Sequence, residues 1–557
     1  MIFYVYLCEG KIFRMFLRKG IWIGVFVVAT FLSGCNDKGR STDKKVFRLN
    51  LDAGLTSLDP AFSRSQNNLW MVHQIFDGLV EMDSNLKVQS AIAKRWEVLE
   101  DGRLFRFILR DNVCFHDHPQ FENGKGRKVV AQDVVYSLKR LVDPKTASPG
   151  SWIFNDKIVE ENPFSAPNDS TFELRIKESF PPMLGLLSMQ YCSVVPKEIV
   201  EFYGKDFREN PIGTGPFKFN LWVENERLIL HKNSNYFQST NAQPIPKLDA
   251  VMVSFNADRQ TAFLSFLGGN LDLITSLDVS FKDDLLTRAG QLRSKYKDKV
   301  NLQSLPYLNT EYLGILVDQE LGIVQGSPLA QKKIRQALNF GFDREKMMKY
   351  LRNDIGTPGN KGMIPNGLPG HADSSYYPYN PDKANALLAE AGFPNGVGLA
   401  PIKVFTGPEY KDLLEFIQSE WRKLGVELVI EINPGSAIRQ MVAKSEANMF
   451  RASWIADYPD AENYLGLFYS PNFAPNGPNY THYKNEDFDR LFQQTLKEKE
   501  EEKRHELYKK MDALIMEEAP VIVLYYDQVV RLVSPKVSGL SPNALNLLEL
   551  KTVDFVN

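Results

Sequence analysis

Two hydrophobic periods alternate along most of this chain, and that alternation restricts it to a mixed fold. Residues 105–109 (FRFIL) and 171–176 (TFELRI) alternate apolar with polar side chains, the period-two pattern of half-buried strands. Residues 331–351 follow the 3.6-residue period instead, with Ile334, Ala337, Leu338, Phe342 and Met348 on one stripe. Asn380-Pro381 opens a helix over 382–391 as N-cap and first-turn proline, and Gly392 closes it. Residues 409–424 and 485–518 are expected as further helices, the second charged enough to carry a solvated face. Strands and helices mixed in this way predict α/β lobes with several sheets. No unit of 20–50 residues repeats, which excludes solenoids and propellers. Proline- and glycine-rich stretches at 211–216, 358–378 and 471–478 read as long loops.

The chain has 557 residues, 43% of them hydrophobic and 12% aromatic, far from the composition of a disordered chain. Lys and Arg (66) nearly balance Asp and Glu (68), so there is no basic field to release counterions from nucleic acid. At roughly 150 residues per domain, three or four domains are expected. Four cysteines cannot form a disulfide framework in so long a chain.

Residues 21–32 (IWIGVFVVATFL) form one uncharged apolar run. A helix needs about 20 residues to cross a bilayer, so this run is too short for a stable span. Arg18 and Lys19 precede it and Leu32-Ser33-Gly34-Cys35 follows, the layout of a secretory signal. The exit resembles a bacterial lipobox, in which Cys35 is diacylated and becomes the first mature residue. Residues 1–34 are therefore read as signal peptide, and 35–45 as a lipidated tether. Met15-Phe16-Leu17-Arg18-Lys19 already supplies a basic head, so initiation at Met15 is the expectation. Removing the signal takes a net +3 from a chain of −2 and leaves −5. Of the remaining thiols, Cys114 and Cys192 could pair or could stay as two buried thiols; spacing does not choose between them.

Phosphate loops, dinucleotide fingerprints, nucleophile elbows and the paired-histidine zinc motif are all missing from the sequence. Cys114, His116 and His118 would share a face if they lay on a strand, but they lack a distant fourth ligand and Pro119 ends the run. No metal and no cofactor are expected. Asp457, Asp460 and Glu462 cluster after Trp454, without a partner histidine for general acid–base work. A carboxylate held beside aromatic walls is instead a receptor for a small cationic group. Asp460 and Glu462 are expected to face solvent.

Residues 451–463 (RASWIADYPDAEN) resemble the signature region of the family 5 extracellular solute-binding proteins, the peptide-binding lipoproteins of ABC importers. Matches recur in order at Thr56-Ser57-Leu58-Asp59-Pro60, 75–79 (IFDGL), 131–137 (AQDVVYS), 143–149 (DPKTASP), 211–217 (PIGTGPF), 334–339 (IRQALN) and 379–384 (YNPDKA). The resemblance implies a two-lobed, class II periplasmic-binding-protein-like α/β fold with an accessory domain. It places lobe I at 46–76 with 200–306 and 520–557, the accessory domain at 77–199 and lobe II at 307–519. It also implies a non-enzymatic function, which is capture of short peptides between closing lobes and delivery to a permease and ATPase complex. The protein would be exported, lipid-anchored on the periplasmic or cell-surface face, and monomeric.

By local match, Asp457 corresponds to the carboxylate that meets the peptide's α-ammonium, and Arg451 to an arginine set against the ligand carboxylate. Ser453-Trp454-Ile455 would pair with the ligand as an added strand, and Arg64-Ser65-Gln66 would supply the opposite edge. Tyr525 and Tyr526 match a tyrosine pair near the cleft. Two departures stand out. Tyr410 lies where some members carry a basic residue, and Gly150 replaces a ligand-facing tyrosine for which Trp152 could substitute. The same fold could hold a metal complex, haem, an opine or a sugar, although a fixed anion at Asp457 makes little sense for a neutral sugar. A peptide-groove chaperone or hydrolase is a further alternative; the missing nucleophile–base pair argues against the hydrolase.

Overall fold

The computed structural model describes residues 44–240, 242–275 and 279–556. The signal segment, Met15, Cys35 and nearly all of the tether lie outside the described residues. Strands β1 (Val46–Leu51), β2 (Asn301–Ile315), β3 (Met449–Ile455) and β4 (Val521–Val533) belong to one eleven-stranded sheet. The long strands β2 and β4 run antiparallel through its middle. On one side follow β3, Ile402–Thr406 and Leu428–Ile432; on the other come Leu273–Ile274, β1, Ala250–Phe255, Arg227–Lys232 and Phe217–Val223. β4 is rich in β-branched and aromatic residues, and Val521 to Tyr526 are buried without interruption, as a strand covered on both faces requires.

β2 changes character midway. Its first seven residues are exposed or half-buried, and Leu308 to Ile315 are all buried. Pairing with β4 breaks between Pro306 and Thr310. Pro306 has no N–H to give the ladder, and Leu308 N donates to Ala544 O at 2.9 Å instead. Two separate cores lie on either side of this break. One collects Phe47, Leu49, Trp70, Val251 and Leu548, and the other Leu313, Ile334, Trp421, Tyr464 and Ile522. A four-stranded antiparallel sheet (Ala93–Leu99, Leu104–Leu109, Phe164–Asn168, Thr171–Arg175) shares the first core through Phe107 and Phe172, whose rings are 6.1 Å apart. The molecule is thus an α/β fold of two lobes with an additional sheet packed on the first.

Both strands read at 105–109 and 171–176 are present, as Leu104–Leu109 and Thr171–Arg175. The helix at Pro381–Glu390 is capped by Asn380, whose Oδ1 accepts from Lys383 N at 3.0 Å, and Gly392 takes φ +94°. Two expected long helices are each broken. Residues 331–351 form Lys332–Phe340 and Arg344–Leu351, because Asp343 starts a new helix by accepting from Lys346 N at 2.9 Å. Residues 485–518 form Glu486–Lys497 and Glu501–Glu518. An unbroken apolar stripe does not reveal a cap inside it.

The Leu58-Asp59-Pro60 motif has a fold-making role. Asp59 Oδ1 accepts from Ala61 N at 3.0 Å, capping a short helical turn, and from Arg140 Nη1 at 2.7 Å, with a second Arg140 contact on Oδ2. Arg140 stands on helix Ala131–Val142, so the pair ties that helix to the segment before helix Gln66–Ile75. Their side chains are only 5% and 14% exposed, so breaking the pair strands a buried charge.

Asp512 is wholly buried, and loss of water pushes its carboxyl up to about 7 despite a 2.8 Å bond from Met363 N. A carboxyl raised in the fold holds its proton more tightly there than in the unfolded chain. Its contribution is therefore full below pH 4 and is lost as pH rises through 7. The stability of Asp512→Asn relative to wild type should rise by about 2–3 kcal/mol between pH 5 and pH 8. Denaturant melts of both proteins across that window check this; a pH-independent difference refutes it.

Candidate functional site

β3 presents a usable edge. One side pairs with β2 along 449–455, whereas the other meets strand Ile402–Thr406 at Phe450 alone. The edge from Arg451 to Ile455 is left without a strand partner among the described residues. Beyond it the chain turns sharply. Ala456 N donates to Leu308 O at 2.9 Å, and Tyr464 Oη donates to the same oxygen at 2.7 Å. The turn is thereby pinned at the place where β2 crosses between the cores.

Asp457 projects from this turn. Asn463 orients it, accepting from Asp457 N at 3.2 Å and offering Nδ2 to Asp457 Oδ2 at 3.4 Å. Asn463 Oδ1 also accepts from Trp454 Nε1 at 2.8 Å, so a single amide aligns the indole and the carboxylate. No cation pairs with Asp457 among the described residues. Asp457 is exposed and opens to a cavity, whose walls still withdraw enough water to raise its carboxyl above the ordinary range.

That cavity has a volume of about 630 Å³ and is lined from both sides. Ile455, Ala456 and Asp457 from the end of β3 and the turn after it, Arg64, Gln66 and Leu69 from the segment at 64–69, and Trp152, Met189, Tyr191, Leu545 and Leu547 line it together. Gly150 explains one aromatic wall. A Cβ there would lie 2.5 Å from Tyr191 Cδ1, so the glycine makes room for the Tyr191 ring. Burial, and then the charge of Asp457, push the Tyr191 phenol up to about 12. Tyr191, Met189 and the 545–547 segment escaped sequence reasoning, since nothing local marks a loop residue as facing a distant strand. Asn463 lay within the signature stretch, six residues from Asp457 on a following turn.

The expected site residues separate into two groups. Asp457, Ile455, Arg64 and Gln66 line the cavity, with Ile455 47% exposed, and Ser453 is half-buried on the free edge. Trp454 stands on the same free edge with its ring packed on the second core, and Trp152 and Tyr191 supply the aromatic walls of the cavity. Three expectations need correcting. Arg64-Ser65-Gln66 is not a strand edge, because Ser65 caps helix Gln66–Ile75, leaving only Arg64 and Ser65 outside it. Arg451 is already engaged, paired with buried Glu311 and lying 3.3 Å over the Tyr410 ring. Tyr525 and Tyr526 are core residues of β4, 2% and 3% exposed. Arg352 lies 4.3 Å from the Tyr525 ring centre, and Tyr526 Oη donates to Gly362 O at 2.6 Å.

The neighbouring acids do not face solvent as expected. Asp460 accepts from Tyr508 Oη at 2.7 Å and lies 3.5 Å from Arg504. Glu462 accepts from Tyr458 Oη and is pushed up to about 7 by burial. Cys114 is exposed and Cys192 buried, both as free thiols, so the reading of two buried thiols holds for Cys192 only. The Cys114 neighbourhood diverges: His116 Nε2 meets Gly215 O and His118 Nε2 meets Tyr203 Oη, each at 3.0 Å.

Comparison with known proteins agrees with this architecture. The family described as bacterial extracellular solute-binding proteins, family 5 Middle, matches residues 87–476. The dipeptide-binding protein of Escherichia coli K12 is 26% identical over 485 residues, covering 84% of this chain and 86% of that one. Heme-binding protein A of Haemophilus influenzae is 26% identical over 488 residues, covering 84% of each. The solved structure of HbpA2 from Haemophilus parasuis superposes with a TM-score of 0.79 at 23% identity, covering 92% of this chain and all of that one (100%).

Proposed function

We propose, for a chain that belongs to the bacterial extracellular solute-binding proteins of family 5, that it captures short peptides by their free α-ammonium and delivers them to an ABC importer. The observation that carries this reading is Asp457, an unpaired carboxylate in a two-sided cavity beside a free strand edge. A strand edge recognises the backbone common to all peptides, and a carboxylate without a cation of its own recognises the one cation they all carry at the same end. A haem, whose own acids are anionic, would leave Asp457 uncompensated. Similarity to both a dipeptide-binding and a heme-binding protein makes the choice of ligand the point to test. Native mass spectrometry of the protein purified without added ligand should show a ladder of peptide masses. One mass belonging to a haem, a metal complex or a sugar refutes the peptide reading.

The lobes are proposed at 46–76 with 200–306 and 520–557, and at 307–519, with the accessory domain at 77–199. The pairing break between Pro306 and Thr310 supports a boundary there. Val533, Val537 and Leu548 lie in the first core, whereas Val521 to Tyr526 pack in the second core, so the first half of β4 goes with the second lobe. Export on a diacylated Cys35 belongs to the same proposal and rests on the sequence. Two acyl chains suffice for stable anchoring at about 0.8 kcal/mol per buried CH₂. Cys35→Ala should therefore leave the protein unprocessed or released from membranes. Its recovery as an acylated membrane protein overturns the assignment.

A further inference from the structure

Among the described residues, Arg64 and Asp457 are the only charged ones lining the cavity. Arg64 comes from the loop before helix Gln66–Ile75, and Asp457 from the turn after β3. Among the described residues neither belongs to an ion pair, and the Arg64 guanidinium has no hydrogen-bond partner, whereas three cations outside the cavity lining are engaged. Arg451 pairs with Glu311 beneath Tyr410, Arg352 pairs with Asp527 at 2.7 Å, and Lys282 Nζ donates to Leu351 O at 2.5 Å. Tyr191 lies within electrostatic reach of both free charges: Asp457 raises its phenol and Arg64 lowers it. The cleft is thus dipolar, with one open anion site and one open cation site around a mainly apolar wall of Trp152, Met189, Leu545 and Leu547.

We propose that Arg64 is a second anchor that takes a carboxylate of the bound peptide, so that the preferred ligands are short and doubly charged. This rests on the peptide reading above and adds a binding role for the Arg64 side chain. The arginine of the signature stretch cannot fill that role while Glu311 neutralises it. The carboxylate could be the peptide's own C-terminus or an acidic side chain, and a planar guanidinium suits either.

Calorimetric titration distinguishes these sources. The probes are di-, tri- and tetra-alanine as free acids and as C-terminal amides, together with an amidated trialanine analogue carrying one central glutamate or glutamine. For the preferred length, amidation should weaken binding to wild type by about ten- to a hundred-fold. In Arg64→Gln, acid and amide should bind alike, and Arg64→Lys should recover part of the difference. If the side chain is the source, the glutamate-over-glutamine preference should be the one that disappears in Arg64→Gln. Discrimination of equal size in wild type and Arg64→Gln, or none in wild type, overturns the Arg64 assignment and leaves peptide binding intact. Wild type that binds no peptide overturns the underlying reading, and this assignment with it.

Discussion

Asp457→Asn should reduce affinity for a free peptide by two to four decades, because a desolvated ammonium that loses its counter-charge costs about 3–5 kcal/mol. The neighbouring acids provide internal controls of a different kind. Asp460 and Glu462 are held by Tyr508 and Tyr458 and lie outside the cavity lining, so their replacement should act on stability before affinity. The decisive comparison is a peptide against its N-acetylated form. Wild type should reject the acetylated ligand, whereas Asp457→Asn should bind both weakly and with little difference. Equal wild-type affinity for the two would remove Asp457 from the site. Asn463→Ala should weaken binding less, since it frees the carboxylate to rotate but keeps its charge.

Asp59→Ala should destabilise the fold by about 3–5 kcal/mol, among the larger effects expected of any single change here. Arg140 would remain only 14% exposed with no carboxylate to meet its guanidinium, and the helical turn at Ala61 would lose its cap. The double variant Asp59→Ala with Arg140→Met should recover part of the loss, because an apolar pair leaves no charge stranded. Denaturation midpoints of the three proteins test this. An additive double variant, with no recovery, would show that the pair is not coupled.

These two aspartates show how differently sequence motifs can act. Both stand in short stretches that resemble motifs of the family: Asp59 joins its segment to helix Ala131–Val142, and Asp457 faces the cavity. The motif alone does not separate the two roles. The distinction is whether a cation of the protein already occupies the carboxylate. Arg451 makes the same point from the opposite side. Its place in the signature stretch suggests a ligand contact, but Glu311 lies 140 positions earlier in the chain and reaches it only because β2 and β3 are neighbours.

The sequence by itself determined the α/β class, the individual strands at 105–109 and 171–176, the capped helix after Asn380 and the position of Asp457. Each of these depends on local periodicity, on a cap a few residues away or on a contiguous motif, so the information lies within one window of the chain. Tertiary structure alone decided the breaks in the helices of 331–351 and 485–518, the burial of Tyr525 and Tyr526, and the choice of Trp152 and Tyr191 as the aromatic walls of the cleft. It also decided that Gly150 is the space in which Tyr191 sits, and that Arg64 is an open cation in the cleft while Arg451 is paired. Those outcomes depend on which side chains approach from segments tens to hundreds of residues away, where burial and charge pairing are set by packing and not by local pattern.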